Sequence, residues 1–461
     1  MSLIALATWT GFGLAAASAI AVSYALNRCP VVFADRRAVM RFAAIWLGAL
    51  LFEFYALGPA SYIAMNNDGN LGVTFYKFLV DRHPGGQFAH GFGGGHDVDA
   101  VLGFGTQLFS LERIFFSLLP TWLAIFVLKL VVALTGFIGA YKLCRITGPA
   151  GRTVSAGLAA VFTVAVPYNI NATTWNVLGY SVLPWVIYFA VARQDRRHYL
   201  PGLVVLGLMA STAEPLHTFV TISGAVVAGA VLLAKLDIRS FVRSIVLPIA
   251  VITALMLVNW HEVFYAMTQI APLTIRGNFL WSDLTVTEAV THAISNFAVL
   301  KVGTVGIAAS ILVLIYRRDS FVWNALTAVA ALLACNLALT LFPWETVGLN
   351  FVNGLSPQYL FYSTPALMLP MAARAAVTVG KGRRQPASTA TGWQAAAVFA
   401  AAAALLVFYK VENGARLAYY GGQSLYTSID NLVTRDWEPD EPFRVVTLRH
   451  QRPEPELLPA F

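Results

Sequence analysis

The chain has 461 residues, 58% hydrophobic and only 12% charged, with a mean hydropathy of +0.67. A soluble domain carries about 25% charged residues, so this composition excludes an ordinary soluble fold and points to a polytopic membrane protein. The formal net charge of +8 does not indicate nucleic acid, because the basic residues cluster between apolar runs, as topology signals do.

A helix needs about 20 apolar residues to cross a bilayer. In chain order the apolar runs are 3–26, 42–63, 116–141, 153–168, 177–192, 200–213, 216–234, 243–260, 298–316, 321–342, 359–379 and 393–409. They predict an all-α polytopic membrane protein with about twelve transmembrane helices and a large first outer loop, 64–115. The first run lacks a basic leader and is longer than the apolar core of a signal peptide, so it reads as a retained helix. Runs four to six are short, and two of them are expected to be broken or re-entrant. A membrane domain over 1–409 is followed by a short polar tail, 410–461, in which Phe443–Leu448 alternates like a strand.

Sidedness follows from Lys and Arg. Alternate loops hold Arg28/Arg36/Arg37/Arg41, Lys142/Arg145/Arg152, Arg193/Arg196/Arg197, Lys235/Arg239/Arg243, Arg317/Arg318 and Lys381/Arg383/Arg384. The positive-inside rule places these in the cytoplasm, and both termini and the 64–115 loop outside. The three cysteines, Cys29, Cys144 and Cys335, cannot build a full disulfide framework. Cys29 and Cys144 fall on the cytoplasmic side, where thiols stay reduced. Most acids fall outside: Asp68, Asp81, Asp97, Asp99, Glu112, Glu214, Glu262, Asp283, Glu288 and Glu345.

The first outer loop holds the leading candidates. Asp68, in Asn66-Asn67-Asp68-Gly69, stands just beyond the second run, where a carboxylate within hydrogen-bond reach can deprotonate a sugar hydroxyl. The same residues also suit a turn with Asp68 capping a helix near Leu71. Further on comes Gly91-Phe92-Gly93-Gly94-Gly95-His96-Asp97-Val98-Asp99. Asp97 and Asp99 offer oxygen ligands to a divalent cation, magnesium or manganese, and His96 can act as an acid toward a phosphate. Asp-x-Asp alone does not complete a metal site, and the glycines serve equally for backbone approach to an anion or for a bend. The loop ends in an amphipathic lead-in to the third run.

Glu214-Pro215-Leu216-His217 joins two apolar runs with almost no loop, which suits a broken helix at the bottom of an outward cavity or a tight turn in water. A second outer loop, 261–297, contains His261, Glu262, Arg276, Asn278 and Trp281, with a short helix expected near Val286–Ile294. A third, 343–358, contains Trp344, Glu345 and Gln358. Lys77, Arg82, Arg113, Arg276 and Lys301 are the scarce outer cations. Of these, Arg276, Lys77 and Lys301 are candidates for a phosphate, and Arg suits one through its bidentate fork. Glu53 and Lys129 fall at matched depth on consecutive runs, which predicts a structural intramembrane ion pair. Trp122, Tyr168, Trp185, Trp260, Trp344 and Tyr359 read as interfacial belt, whereas Trp175 and Trp281 are exempted.

With an acid just past a span, a long first outer loop and many short-looped spans, the chain resembles the C-type superfamily of integral-membrane glycosyltransferases. Asp68 matches that family's first-loop catalytic acid by position, and His96-Asp97-Val98-Asp99 falls where some members carry a further acidic motif. Two departures stand out: two runs rather than one precede the acidic loop, and the tail is short. The resemblance implies interfacial helices in the first loop and transfer of a sugar from a polyprenyl-phosphate carrier to a glycan, lipid or protein acceptor. It places the site on the outer face of a bacterial inner or plasma membrane. Asp68 and His96 would then do the proton chemistry. Arg276, Lys77 and Lys301 would meet the phosphate, while Glu214, His217, His261, Glu262, Trp281, Glu345 and Gln358 would line the substrate cavity. A transporter using Glu53, Lys129, Glu214 and His217 is the competing expectation, and a non-catalytic assembly subunit is a third.

Overall fold

The computed structural model describes residues 3–28, 33, 35–58, 88–89, 96–97, 109–147, 151–168, 177–191, 196–212, 215–233, 238–260, 284–298, 300–347, 357–381 and 387–419. They are helical apart from one small hairpin. In order the elements are α1 (Leu3–Arg28), α2 (Arg36–Leu50), α3 (Phe52–Leu57), β1 (Phe88–Ala89), β2 (His96–Asp97), α4 (Leu111–Leu118) and α5 (Thr121–Thr147). Then come α6 (Arg152–Thr163), a π-helical turn (Val164–Tyr168), α7 (Val177–Ser181), α8 (Leu183–Val191), α9 (Arg196–Ser211), α10 (Pro215–Leu233) and α11 (Ile238–Asn259). The chain continues through α12 (Val286–Phe297), α13 (Lys301–Tyr316), α14 (Phe321–Leu341), α15 (Thr364–Lys381) and α16 (Ala387–Tyr419). Two 3-10 turns, Trp344–Val347 and Pro357–Ser363, lie between α14 and α15.

Every apolar run coincides with a helix or a broken pair, although the boundaries move. α2 starts among its arginines because Asp35 caps it, accepting from the Ala38 N–H at 2.7 Å. The second run turns at Leu51 into α3 and stops at Gly58, whose φ of 52° is the left-handed conformation that glycine adopts without strain. Run five is interrupted at Val182, and run four ends in the π-helical turn containing Pro167. Among the described residues three helices are long and apolar enough to cross a membrane: α5, α14 and the Gln394–Val411 part of α16. A fourth is added if α12 and α13, bent by 93°, count as one span. Within the fully described residues the other apolar stretches, among them Gly13–Ala25 and Ile245–Asn259, run 10–17 residues, so twelve crossings are not counted there on helix length alone.

The exposed surface explains the composition. Only 28% of the apolar window is buried in α14 and in α16. Ile20, Ile45, Val305, Leu312 and Trp323 stand exposed on helix flanks. In water such continuous apolar faces would drive association, whereas lipid covers them at no cost. The interior is built from α5, α6, α8, α10 and α15. All residues of α6 from Thr153 to Thr163 are buried, and its Ser, Ala and Gly residues let neighbouring helices come close. The Trp46 indole N–H donates to Thr163 Oγ1 at 3.0 Å, tying α2 to α6. Trp185 lies between α5 and α8, donating to the Thr135 carbonyl at 2.9 Å with Lys142 Nζ 4.7 Å above its ring. Trp185 therefore packs between helices instead of joining the expected belt.

Among the described residues, segments beside basic loops meet in pairs, as do segments beside the loops between them. At the basic end the Phe33 N–H donates to Thr153 Oγ1 at 2.9 Å. Arg317 Nη2 donates to the Val379 carbonyl at 3.3 Å, and Arg374 forms a forked pair with Asp319 at 3.0 and 3.2 Å. At the opposite, loop end, Asn259 holds Phe109 and Ser211. There Asn336 donates to the Pro357 carbonyl and Thr221 to the Tyr359 carbonyl, both at 2.8 Å. α13 and α15 run parallel between these ends. Gly303 sits against Thr364 and Pro365 at the loop end, and Arg317 against Val379 at the other.

A Cβ at Gly303 would lie 2.8 Å from Pro365 N and 2.9 Å from the Thr364 carbonyl carbon, backbone atoms that cannot swing aside. Gly303→Ala is expected to lower the thermal midpoint in nanodiscs, because α13 must move off α15. Gly13→Ala, with nothing within 4 Å, is expected to leave the midpoint unchanged or raise stability by about 0.5–1 kcal/mol through helix propensity. Equal effects at the two positions would contradict this packing.

Candidate functional site

The loop end is built around the junction of Phe109 with α4. Asn259, the last residue of α11, makes a paired contact with the Phe109 backbone. The Phe109 N–H donates to Asn259 Oδ1 at 2.7 Å, and Asn259 Nδ2 donates to the Phe109 carbonyl at 2.8 Å. The same Nδ2 donates to the Ser211 carbonyl at 2.8 Å, which also accepts from the Trp260 indole at 2.5 Å. Trp260 is thus buried in this junction and is no belt residue. The contact fixes the far end of the first long loop against α9 and α11.

Ser110 then starts α4. Its Oγ accepts from the Arg113 N–H and donates to Glu112 Oε2, both at 3.2 Å. Glu112 is completely buried, and its Oε1 has no hydrogen-bond partner among the described residues. Burial pushes its carboxyl up to about 8, against the opposing pull of its own backbone N–H and Ser110. The other acids with described side chains are all engaged. Asp35 caps α2, Asp319 pairs with Arg374, and Glu53 pairs with Lys410. Glu288 closes a capping box with Thr285, whose hydroxyl and backbone N–H hold it below the usual carboxylate range.

The turn Pro357–Ser363 forms the other wall of this end. Tyr180 of α7 stacks on Tyr362, and Tyr362 on Tyr359, with 5.2 Å between centroids in each pair. The turn is held by Asn336 and Thr221, while Asn336 Oδ1 and Thr218 Oγ1 are buried with no hydrogen-bond partner among the described residues. Gln358 is half-buried in this turn. Lys301 is exposed at the first position of α13.

Other predicted residues are placed by backbone alone. His96 and Asp97 form β2, paired antiparallel so that Ala89 faces His96 and Phe88 faces Asp97. His217 lies in the first turn of α10, at the loop end, and Glu345 in the turn Trp344–Val347. Asp68, Lys77, Asp99, Glu214, His261, Glu262, Arg276 and Trp281 lie outside the described residues, as do Trp175 and the tail beyond Tyr419. Among the described residues no group of three His, Cys, Asp or Glu is arranged to hold a metal ion.

The expected Glu53–Lys129 pair is one side of a larger cluster. Lys410 of α16 donates to Glu53 Oε2 and, at 2.6 Å, to the Leu50 carbonyl. Lys129, buried on α5, is attracted by Glu53 and repelled by Lys410. Lys410 escaped notice because the apolar run stops at 409, whereas α16 continues to Tyr419. Glu112 escaped because an acid in the first turn of a helix is ordinarily a solvated partner of the helix dipole. Nothing local in Ser110-Leu111-Glu112-Arg113 signals its burial. No family model and no curated protein matches the sequence.

Glu112 has its carboxyl raised from 4.5 to about 8 on folding. Its stabilising contribution is therefore complete below the lower value and lost as pH rises through the upper one. Glu112→Gln should flatten this part of the pH dependence of the thermal midpoint and remove a protonated-carboxyl infrared band that titrates near pH 8. An unchanged band and profile would refute the buried acid. For the cluster, Glu53→Gln should destabilise by on the order of 3 kcal/mol, since it leaves two lysines close together. Adding Lys410→Met should recover more of the loss than adding Lys129→Met, as measured by thermal unfolding. The reverse order would show that Lys129 is the principal partner.

Proposed function

We propose that this chain is a polytopic membrane glycosyltransferase. On this reading it crosses the bilayer about twelve times and moves a sugar from a polyprenyl-phosphate carrier to an acceptor hydroxyl at its outward-facing loop end. The observation that carries the reading is Glu112. It is a fully buried carboxyl with one oxygen unengaged among the described residues, at the far flank of the loop that bears Asp68. Groups whose pKa lies near the working pH are the effective general acids and bases, and burial brings Glu112 there.

The acceptor oxygen attacks the anomeric carbon, forming the new glycosidic bond. The bond from that carbon to the carrier phosphate breaks, and the phosphate leaves with the electron pair. The acceptor proton goes to a carboxylate, assigned to Asp68 by resemblance. Glu112 is the second proton-handling group of the same loop. Arg276, Lys77 and Lys301 would neutralise the departing phosphate, as would a magnesium or manganese ion held by Asp97 and Asp99 with His96 beside it. Glu214, His217, His261, Glu262, Trp281, Glu345 and Gln358 would line the cavity. The acceptor would be a glycan, a lipid or a protein.

The Glu53–Lys129–Lys410 cluster favours the second reading, a transporter with charged groups at membrane depth. One assay separates the two. Purified protein in nanodiscs is given a panel of polyprenyl-phosphate sugars and scored for transfer. Asp68→Asn should reduce transfer by about 100- to 10,000-fold with the fold intact, and Glu112→Gln should shift the alkaline limb of the pH–rate profile. Undiminished transfer by Asp68→Asn would remove the base assignment. No transfer from any carrier, with proton-coupled flux in proteoliposomes, would establish the transporter.

A further inference from the structure

α12 differs from the helices around it. It meets α13 at 93°. The corner is pinned from within, because the Thr304 hydroxyl donates to the Phe297 carbonyl at the end of α12. The other end of α12 is fixed by the reciprocal capping box of Thr285 and Glu288. The helix therefore has a defined start, a defined stop and a set direction across the loop end.

Its faces are sorted into three strips. Ala289, Ala293 and Asn296 are buried against the bundle, where α12 packs on α14 and the turn Pro357–Ser363. Next to them, at four-residue spacing, Val286 and Ile294 are exposed by 65% and 61%, and Val290 lies between them by 37%. On the opposite side stand Thr287, Glu288, Thr291 and Ser295, all exposed, with His292 accepting from Asn296 at 2.9 Å. An apolar strip between a buried strip and a polar one is the pattern of a helix lying in a membrane interface. The strip carries no charge, and around the corner it continues into the exposed Val305 and Leu312 flank of α13. Lys301, exposed at the corner, stands where α12 meets α13.

We propose that the Val286–Val290–Ile294 strip of α12 rests on the hydrocarbon of the leaflet at the loop end, with Lys301 at phosphate depth. α12 is then a float that sets how deep the candidate site sits. The occupant of the strip is bilayer lipid; a second copy of the chain or a partner protein would cover it differently. The inference rests on reading α13 as a membrane span and is independent of which reaction the site performs.

Nitroxide labels at Val290→Cys, Ile294→Cys and Thr291→Cys test it in nanodiscs. Cys29 and Cys335 are replaced by Ser in this chain, and Cys144 is kept because it is buried. Labels at 290 and 294 should be relaxed by oxygen far more than by a water-soluble nickel chelate, with the reverse at 291. Equal nickel access at all three sites would put the strip in water. Protection of 290 and 294 from both reagents would mean that protein covers it, and either result overturns the proposal. A label-free check uses charge. The double variant Val290→Asp/Ile294→Asp should lower the thermal midpoint in nanodiscs by several degrees, and Thr287→Asp/Thr291→Asp should not. Equal shifts from the two pairs would also overturn it.

Discussion

Hydrocarbon offers no hydrogen-bond partner to a peptide group, so a chain immersed in it must satisfy its backbone within its own helices. That constraint shapes what the structure describes. The described backbone is helical apart from one small hairpin, and large apolar side chains stand exposed on the helix flanks. Buried polar side chains repeatedly bond to carbonyls of their own or an adjacent helix, as with Ser181, Thr163 and Ser363. Where a charge enters the bundle it comes with company, as at Glu53, Lys129 and Lys410.

The same constraint favours polar side chains near the helix ends. At the basic end Asp319 is forked by Arg374 and Thr153 holds Phe33, while Ser155 Oγ and Arg317 Nε are buried with no hydrogen-bond partner among the described residues. At the loop end a buried carboxyl, two further buried polar atoms without a described partner and a stack of three tyrosines lie on elements held by Asn259, Asn336 and Thr221.

Much of the fold was legible in the residues, because hydropathy and the spacing of Lys and Arg report directly on burial in lipid. The lead-in helix α4 and the short helix α12 follow from that pattern. The interior was less legible. Trp185 and Trp260 look like belt residues, yet Gly139 makes room for one and Ser211 binds the other. Glu112 reads as solvated until its neighbours are in place, and Lys410 reads as outside the last span because hydropathy windows end before helices do. Burial of a charged side chain is a tertiary property, and spacing along the chain does not encode it.

On the proposed reading the loop end faces away from the cytoplasm. The most direct test is labelling of intact cells with a membrane-impermeant maleimide, using single cysteines at Thr287→Cys on α12 and Ser320→Cys between α13 and α14. Position 287 should label in intact cells and position 320 only after permeabilisation. Labelling at 320 in intact cells, with 287 protected until the membrane is opened, would contradict the account.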